Sequence, residues 1–359
     1  MRHRFHAICP YFAMFPEVFV RKHLVWSKPG DLVLDPFSGR GTTAFESILN
    51  GRAAIAMDIN PVAICVSRAK TYAPYKEEAI ERLVALRQSC PDETALLESD
   101  EFFSLCFHRT TLRQLVHLRQ HLDWMNNQVD CFLAALCLGC LHGESHRSPR
   151  YFSNRMPRTI STKPGYSVRW WKSKGCCPPE RDVFSILNNE IEYRLASAAP
   201  TGVARIELGD VRDASSTFSA YKEQVSLVIT SPPYLDTTNF MEDQWLRLWM
   251  LGGPDRPANN RGDHRHYSQE HYWTFLSEAW EGIGDLLKQK ATLIIRLGGS
   301  KLSFDVARDR LTHSLETGLA RKVALNESRV SDIVGGQLRS FSPNAKGIKV
   351  EFDFRFSVA

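Results

Sequence analysis

Short apolar runs alternate with stretches of helical period at both ends of the chain, and the middle third abandons that alternation. Asp31-Leu32-Val33-Leu34-Asp35-Pro36-Phe37 reads as a buried strand entered from the turn Lys28-Pro29-Gly30. A glycine-rich loop follows, then a helix from Ala44 to Leu49 that closes at Asn50-Gly51. Ala53-Ala54-Ile55-Ala56-Met57-Asp58 is a second strand, and Asn60-Pro61 opens another helix, proline being tolerated in a first turn. Strand, helix, strand, helix with short connections predicts a parallel α/β sheet. The alternation resumes late in the chain. Ala204 to Asp210, Val225 to Thr230 and Ala291 to Leu297 read as strands, and Asn239 to Leu251 and Tyr272 to Gln289 as helices. Val350 to Phe356 alternates as a closing strand with one wetted face.

Between Tyr75 and Ser197 the pattern is helical. Glu77 to Gln88 and Thr110 to Trp124 are amphipathic, Val129 to Leu141 is more uniformly apolar, and Arg181 to Leu195 returns to helical spacing. Pro149, Pro157, Pro164, Pro178 and Pro179 break the stretch between the last two. The layout expected is an α/β core of 1–75 and 200–359 around a mostly helical insertion at 76–199.

Charge sharpens that division. The 359 residues carry a formal net charge of +5. The segment from Glu144 to Arg181 holds nine basic residues against two acids, a net +7, which leaves −2 for the rest. Positive charge concentrated in one segment points to a polyanion as its partner. No apolar stretch reaches membrane-spanning length, and Met1-Arg2-His3-Arg4-Phe5-His6 lacks the apolar core of a signal peptide. A cytoplasmic protein with no membrane partner is expected. Nine cysteines suggest reduced thiols rather than a secreted framework. Cys137-Leu138-Gly139-Cys140, with Cys131, His142 and Cys176-Cys177, has the residue types of a zinc site. The run around it reads as a buried helix, and the second pair lacks ligand spacing, so no metal is expected.

The candidate chemistry lies at strand ends. Asp35-Pro36-Phe37-Ser38-Gly39-Arg40-Gly41-Thr42-Thr43 lacks the third glycine of a dinucleotide fingerprint and the Gly-Lys-Ser/Thr of a P-loop. A glycine loop introduced by a carboxylate suits a ligand with positive charge, an ammonium or sulfonium. Asp58 is placed to accept both hydroxyls of a ribose, and Asp210, after Gly209, an adenine amino group. Ser231-Pro232-Pro233-Tyr234 then ends a buried strand in a stiff loop, because proline fixes φ and donates no N–H. Its hydroxyl, fixed carbonyls and flat ring suit a planar substrate with an exocyclic amine. Asp236, just beyond, reads as a solvated turn residue in preference to a proton relay.

Together these motifs resemble the S-adenosylmethionine-dependent DNA amino-methyltransferases, and the Ser-Pro-Pro-Tyr form resembles their cytosine-N4 branch. Phe15-Pro16-Glu17-Val18-Phe19 resembles the segment that closes over the methionine end of the cofactor in that family. The resemblance covers the core, about two-thirds of the chain. It implies a Rossmann-like class I methyltransferase sheet with helices on both faces, interrupted by the basic insertion. Carried over by position, Phe15, Pro16, Asp35, Pro36, Phe37, Gly39, Gly41, Thr42 and Thr43 line the methionine side. Asp58 and Ile59 hold the ribose, and Asp210 and Val211 the adenine. Ser231, Pro232, Pro233 and Tyr234 form the catalytic loop. Arg40 departs from the pattern, standing where a small residue is usual.

The implied reaction is methyl transfer to N4 of a cytosine flipped out of double-stranded DNA, by direct displacement. Candidate DNA contacts are Arg150, Asn154, Arg155, Arg158, Lys163, Arg169, Trp170 and Lys172, where cations alternate with aromatic rings. Competing readings are adenine-N6 methylation, an RNA amino-methyltransferase, and a non-catalytic nucleic-acid binder on a vestigial fold. A cognate restriction endonuclease would be a separate polypeptide.

Overall fold

The computed structural model describes residues 2–10, 16–92, 100–156, 163–197, 200–235, 240–257, 268–299, 302–332 and 350–359. The chain forms two compact units. One comprises Tyr11–Ser67, Pro200–Thr238 and Asn260–Ala359; the other comprises Met1–Pro10, Arg68–Ala199 and Asn239–Asn259.

The first unit is built on a seven-stranded sheet: β1 (Leu32–Asp35), β2 (Ala53–Asp58), β3 (Ala204–Leu208), β4 (Val225–Thr230), β5 (Leu287–Gly298), β6 (Val323–Asp332) and β7 (Val350–Val358). The strand order is β3-β2-β1-β4-β5-β7-β6. Strands β1 to β5 pair in parallel, and β7 runs antiparallel to both β5 and β6. The sequence winds outward from β1 to β3, then restarts beside β1 with β4. That reversal is a topological switch point, where open α/β sheets hold their ligands. The Rossmann-like sheet expected from the sequence is the one observed.

Both faces of this sheet are covered, which explains the nearly unbroken apolar runs. Val33, Leu227, Ile229 and Ile294 pack with Phe19, Val20 and Leu24 around helix Glu17–His23. Their neighbours Leu34, Val228, Leu293 and Ile295 join Tyr272, Leu276 and Trp280 of helix Gln269–Gly284 on the opposite face. The period of two along each strand sorts its residues between these cores.

Several boundaries differ from those expected. The helix read as Tyr272 to Gln289 ends at Gly284, and β5 starts at Leu287, its first residues Lys288, Gln289 and Lys290 being partly or fully exposed. Helix Phe304–Leu319 and strand β6 escaped the sequence reading; β6 is mostly polar and only partly buried, so it lacks an apolar run. The polar face of β7 is not wetted. Glu351 and Asp353 are buried against Arg296, which stands across the ladder from Asp353.

The second unit is helical. Its longer helices are Lys76–Gln88, Arg109–His121, Gln128–Cys140, Pro164–Lys174 and Val183–Arg194. The prolines of the basic stretch do not exclude a helix, since Pro164 occupies its first turn. The expected helix Asn239 to Leu251 is two short ones, Phe240–Asp243 and Trp245–Met250. The unit takes in both chain ends of the insertion and more: Gly139 lies against the main chain of Ile8, and Arg119 donates to the Trp249 carbonyl. Trp245 and Trp249 pack on Phe102, Phe103 and Phe107. Cys131, Cys137 and Cys140 are buried in helix Gln128–Cys140, as the apolar pattern there predicts.

Candidate active site

The glycine loop turns from β1 into helix Thr42–Leu49 through two left-handed residues, Gly39 (φ 49°) and Gly41 (φ 68°). At Gly41 glycine is required twice over. Side chains rarely adopt its φ, and a β carbon there would lie 2.5 Å from Ser67 Oγ. Ser67 in turn donates to the Gly39 carbonyl at 3.0 Å, and Gly39 N–H donates to Asp58 at 2.8 Å. Asn60 N–H takes the other oxygen of Asp58 at 2.9 Å. Asp58 therefore braces the loop from the end of β2, with backbone donors on both oxygens.

Asp35 is buried at the end of β1. It accepts from the Thr230 hydroxyl at 2.7 Å and from Phe37 N–H at 3.2 Å. Burial pushes the Asp35 carboxyl up to about 6, against the pull of hydrogen bonds from Thr230 and Phe37. Burial likewise lifts Asp58 to about 6, against the N–H groups of Asn60, Gly39 and Ile59. Among the described residues neither carboxylate has a salt-bridge partner. A buried carboxylate without a cation is costly to ionise, and a cationic ligand removes the cost. The donor set thus fits the ammonium and sulfonium of S-adenosylmethionine beside Asp35, and its ribose at Asp58. Ile59, next to Asp58, leaves its apolar side chain exposed.

The other predicted cofactor residues fall as follows. Pro36, Thr42 and Thr43 are buried within the turn and first helical residues. Phe37 is half-buried, its ring edge-on to Phe275 and Trp280. Pro16 caps helix Glu17–His23, while Phe15 lies outside the described residues. Arg40 is buried. Asp210 caps the short turn Val211–Asp213, and Arg212 clasps its carboxylate at 2.9 Å and 3.1 Å. An adenine amine at Asp210 would share that carboxylate with Arg212. Val211 is buried.

Beside Asp35, β4 delivers the Ser231-Pro232-Pro233-Tyr234 loop. Thr43 Oγ1 donates to the Ile229 carbonyl at 3.1 Å, so two hydrogen bonds, this one and Thr230 to Asp35, lock the loops together. Thr230 pairs with Ile295, and pairing resumes at Leu235 with Gly299. The loop carries one residue more than β5 between these points, and it bulges because two prolines cannot extend the ladder. Ser231 donates its hydroxyl hydrogen to the main-chain carbonyl of Arg296 at 3.0 Å. Its lone pairs therefore remain to accept. Among the described residues no hydrogen bond reaches the Pro232 carbonyl. Tyr234 is buried, and its hydroxyl donates to Glu351 at 2.7 Å. Asp236 lies outside the described residues. Thr230, Arg296, Gly298 and Glu351 were not singled out by the sequence; the one signal was a pair of acids alternating with Phe352, Phe354 and Phe356 in a closing strand.

In the helical unit the predicted DNA contacts divide. Arg155, Lys163, Arg169 and Lys172 are exposed, and Trp170 is half-buried with the Arg155 guanidinium 5.6 Å from its ring. Lys172 also pairs with Glu101. The Asn154 amide, read in the sequence as a DNA contact, is instead buried and donates to the carbonyls of Leu105 (2.9 Å) and Cys176 (3.1 Å), so it clips two segments together. Arg150 turns inward to Glu190 at 3.5 Å. Arg158 lies outside the described residues.

Comparison with known proteins shows partial likenesses. Residues 3–67 match the N6/N4 methyltransferase family model, described as DNA methylase. A 49-residue stretch is 47% identical to the orphan methyltransferase M.BamHII of Bacillus amyloliquefaciens, covering 13% of this chain and 18% of that relative. Among solved structures, TrmN from Thermus thermophilus aligns over 99% of this chain and 52% of its own at 11% identity and a TM-score of 0.39. The rRNA methyltransferase aviRa from Streptomyces viridochromogenes aligns over 99% and 94% at 12% identity and a TM-score of 0.37. The fold assignment itself rests on the strand order.

Proposed function

We propose that this chain, whose residues 3–67 match the family model described as DNA methylase, is a DNA amino-methyltransferase that transfers a methyl group to the exocyclic N4 of cytosine in double-stranded DNA. The observation that carries this reading is the hydrogen bond from Thr230 to Asp35. It joins a loop built for a cationic ligand to a loop that presents amine acceptors, side by side at the switch point of the sheet.

S-adenosylmethionine, when bound, supplies an electrophilic methyl group on a sulfonium. The chain's own residues do the rest by positioning and electrostatics. Asp35 meets the positive charge and Asp58 the ribose hydroxyls. An exocyclic amine on cytosine is a poor nucleophile, its lone pair being delocalised into the ring. Ser231 Oγ and the Pro232 carbonyl each accept one N–H, favouring a pyramidal nitrogen whose lone pair points away from both. The same acceptors stabilise the positive charge that develops there. The proton is then lost to water. No cysteine nucleophile is needed, and the buried thiols of Cys137 (pushed well up by burial) and Cys140 (pushed up to about 12) are poorly suited to be one.

Serine at the head of the loop supports cytosine over adenine. For DNA, the support is the exposed set Arg155, Lys163, Arg169 and Lys172 with Trp170, cations for phosphates beside a ring for stacking. The test is incubation with methyl-labelled S-adenosylmethionine and mixed-sequence DNA, then identification of the labelled nucleoside. N4-methylcytosine is expected. Label on N6-methyladenine alone overturns the cytosine assignment, and label on RNA but not DNA overturns both.

A further inference from the structure

We propose that Glu351, seated by Arg296, is a positioning residue that fixes the ring of Tyr234 over Gly298 in the target-base loop. The inference rests on the reading of Ser231–Tyr234 as that loop. It begins with register. Leu235 pairs with Gly299, just past the end of β5, which brings Tyr234 alongside Gly298, and Gly298 stands opposite Glu351 on β7. Residues directly opposite in an antiparallel ladder project from the same face. A tyrosine ring laid across a position with no side chain therefore reaches, with its hydroxyl, the side chain one strand further on. Both contacts are present: a β carbon on Gly298 would lie 2.5 Å from the ring, and the hydroxyl donates to Glu351 at 2.7 Å.

Glu351 is itself held. Arg296 Nη1 lies 2.8 Å from its second oxygen, and Arg296 Nε is 2.6 Å from Asp353. Asp353 also receives Ser331 at 2.6 Å and Arg329 at 3.1 Å, and the Arg296 guanidinium sits 4.0 Å over the Phe19 ring. Burial lifts the Glu351 carboxyl above its usual value, and the charge of Arg296 and the hydroxyl of Tyr234 work against that rise. Burial acts on Asp353 too, but Arg296 outweighs it and holds that carboxyl low. Arg296 thus touches both functional groups of the loop: its carbonyl orients Ser231, and its guanidinium orients the acceptor of Tyr234. A charge-assisted hydrogen bond from a buried phenol is short and directional, which suits a ring that must be in place before the base arrives.

The test compares wild type with Tyr234→Phe, Glu351→Ala, Glu351→Gln and the Tyr234→Phe/Glu351→Ala pair. Single-turnover methyl transfer, the KM for DNA and the cofactor Kd are measured for each. Tyr234→Phe and Glu351→Ala should each slow transfer by about 10- to 100-fold, with cofactor affinity little changed. Their combination should be no worse than the worse single variant, because both remove one interaction. Glu351→Gln, whose amide oxygen still accepts, should recover most of the rate. Multiplying effects, or wild-type transfer by Tyr234→Phe, would overturn the inference. Where Glu351→Ala does not fold, Tyr234→Phe and Glu351→Gln decide it. An activity-independent readout is the Tyr234 Cζ resonance in tyrosine-labelled protein, assigned by its loss in Tyr234→Phe. It should move in Glu351→Ala or Glu351→Gln, and a resonance unmoved in both overturns the positioning role. If wild type methylates no DNA, the functional reading falls, and this resonance still judges the clamp.

Discussion

The Ser231 hydroxyl has a single proton, and the main-chain carbonyl of Arg296 receives it at 3.0 Å. What faces the cleft is therefore an acceptor, the property a target amine requires. Ser231→Ala should cut turnover by about 10- to 100-fold while cofactor affinity stays within about twofold. Steady-state kinetics beside equilibrium binding checks this, and unchanged turnover would refute the role. Asp35 and Asp58 make a pH-dependent counterpart. Both carboxyls are pushed up to about 6 by burial from a reference of 3.8. In the free protein they keep protons between those values that the unfolded chain has released, so their ionisation lowers stability as pH rises through that window. A cationic ligand wants the ionised forms. Its affinity should thus be greatest above pH 6 and weaken below it, by up to about tenfold per pH unit for each coupled carboxylate. Calorimetric titration of S-adenosylmethionine from pH 7.5 to 5 tests the direction, and an affinity flat across that range would separate these groups from the cofactor.

At the level of elements, strand ends set the site, and that is why so much of it is legible in the sequence. β1, β2 and β4 are buried on both faces, so they read as apolar runs, and the polar residue ending each run stands out: Asp35, Asp58 and Ser231. The supporting side chains do not stand out. Tyr234 and Glu351 meet across 117 residues and Arg296 and Asp353 across 57, through a register that no local pattern records. Polarity misleads in the same strand, since Glu351 and Asp353 look like a wetted face until Arg296 is placed opposite them. Helix Pro164–Lys174 was hidden by a proline that in fact starts it. The turn at Gly41 is the element most exposed to a single change. Gly41→Ala imposes an unfavourable φ and drives a methyl group onto Ser67, so both stability and cofactor affinity should fall. Gly41→Ala combined with Ser67→Gly removes the two shortest contacts, leaves the Cα of residue 67 at 3.0 Å and keeps the strain. Thermal melting should recover in part, and full recovery would show that backbone conformation contributes nothing.

On the scale of the whole chain, the helical unit is not a detachable insert. It draws on three separated segments, and residues 239–259 return to it after the Ser231–Tyr234 loop. Excision of 76–199 would strip Trp245 and Trp249 of Phe102, Phe103 and Phe107, so the remainder should be insoluble when expressed. The same unit concentrates the net +7 between Glu144 and Arg181. Its exposed cations differ in what they have to offer a phosphate. Lys172 already pairs with Glu101, Arg150 is turned to Glu190, and Arg155 lies over Trp170 with Arg169 exposed on the neighbouring helix. Arg155 and Arg169 are therefore the residues whose loss should register most clearly. Each phosphate contact removed lowers the slope of log K against log salt by about 0.9. Arg155→Ala with Arg169→Ala should flatten that slope by nearly 2 and weaken binding on every DNA sequence alike. Arg150→Ala should leave the slope unchanged, because its charge is already engaged inside the unit. Titration of fluorescent duplexes over a range of salt concentrations measures all three, and equal slopes for the double variant and wild type would return this face to an ordinary solvated surface.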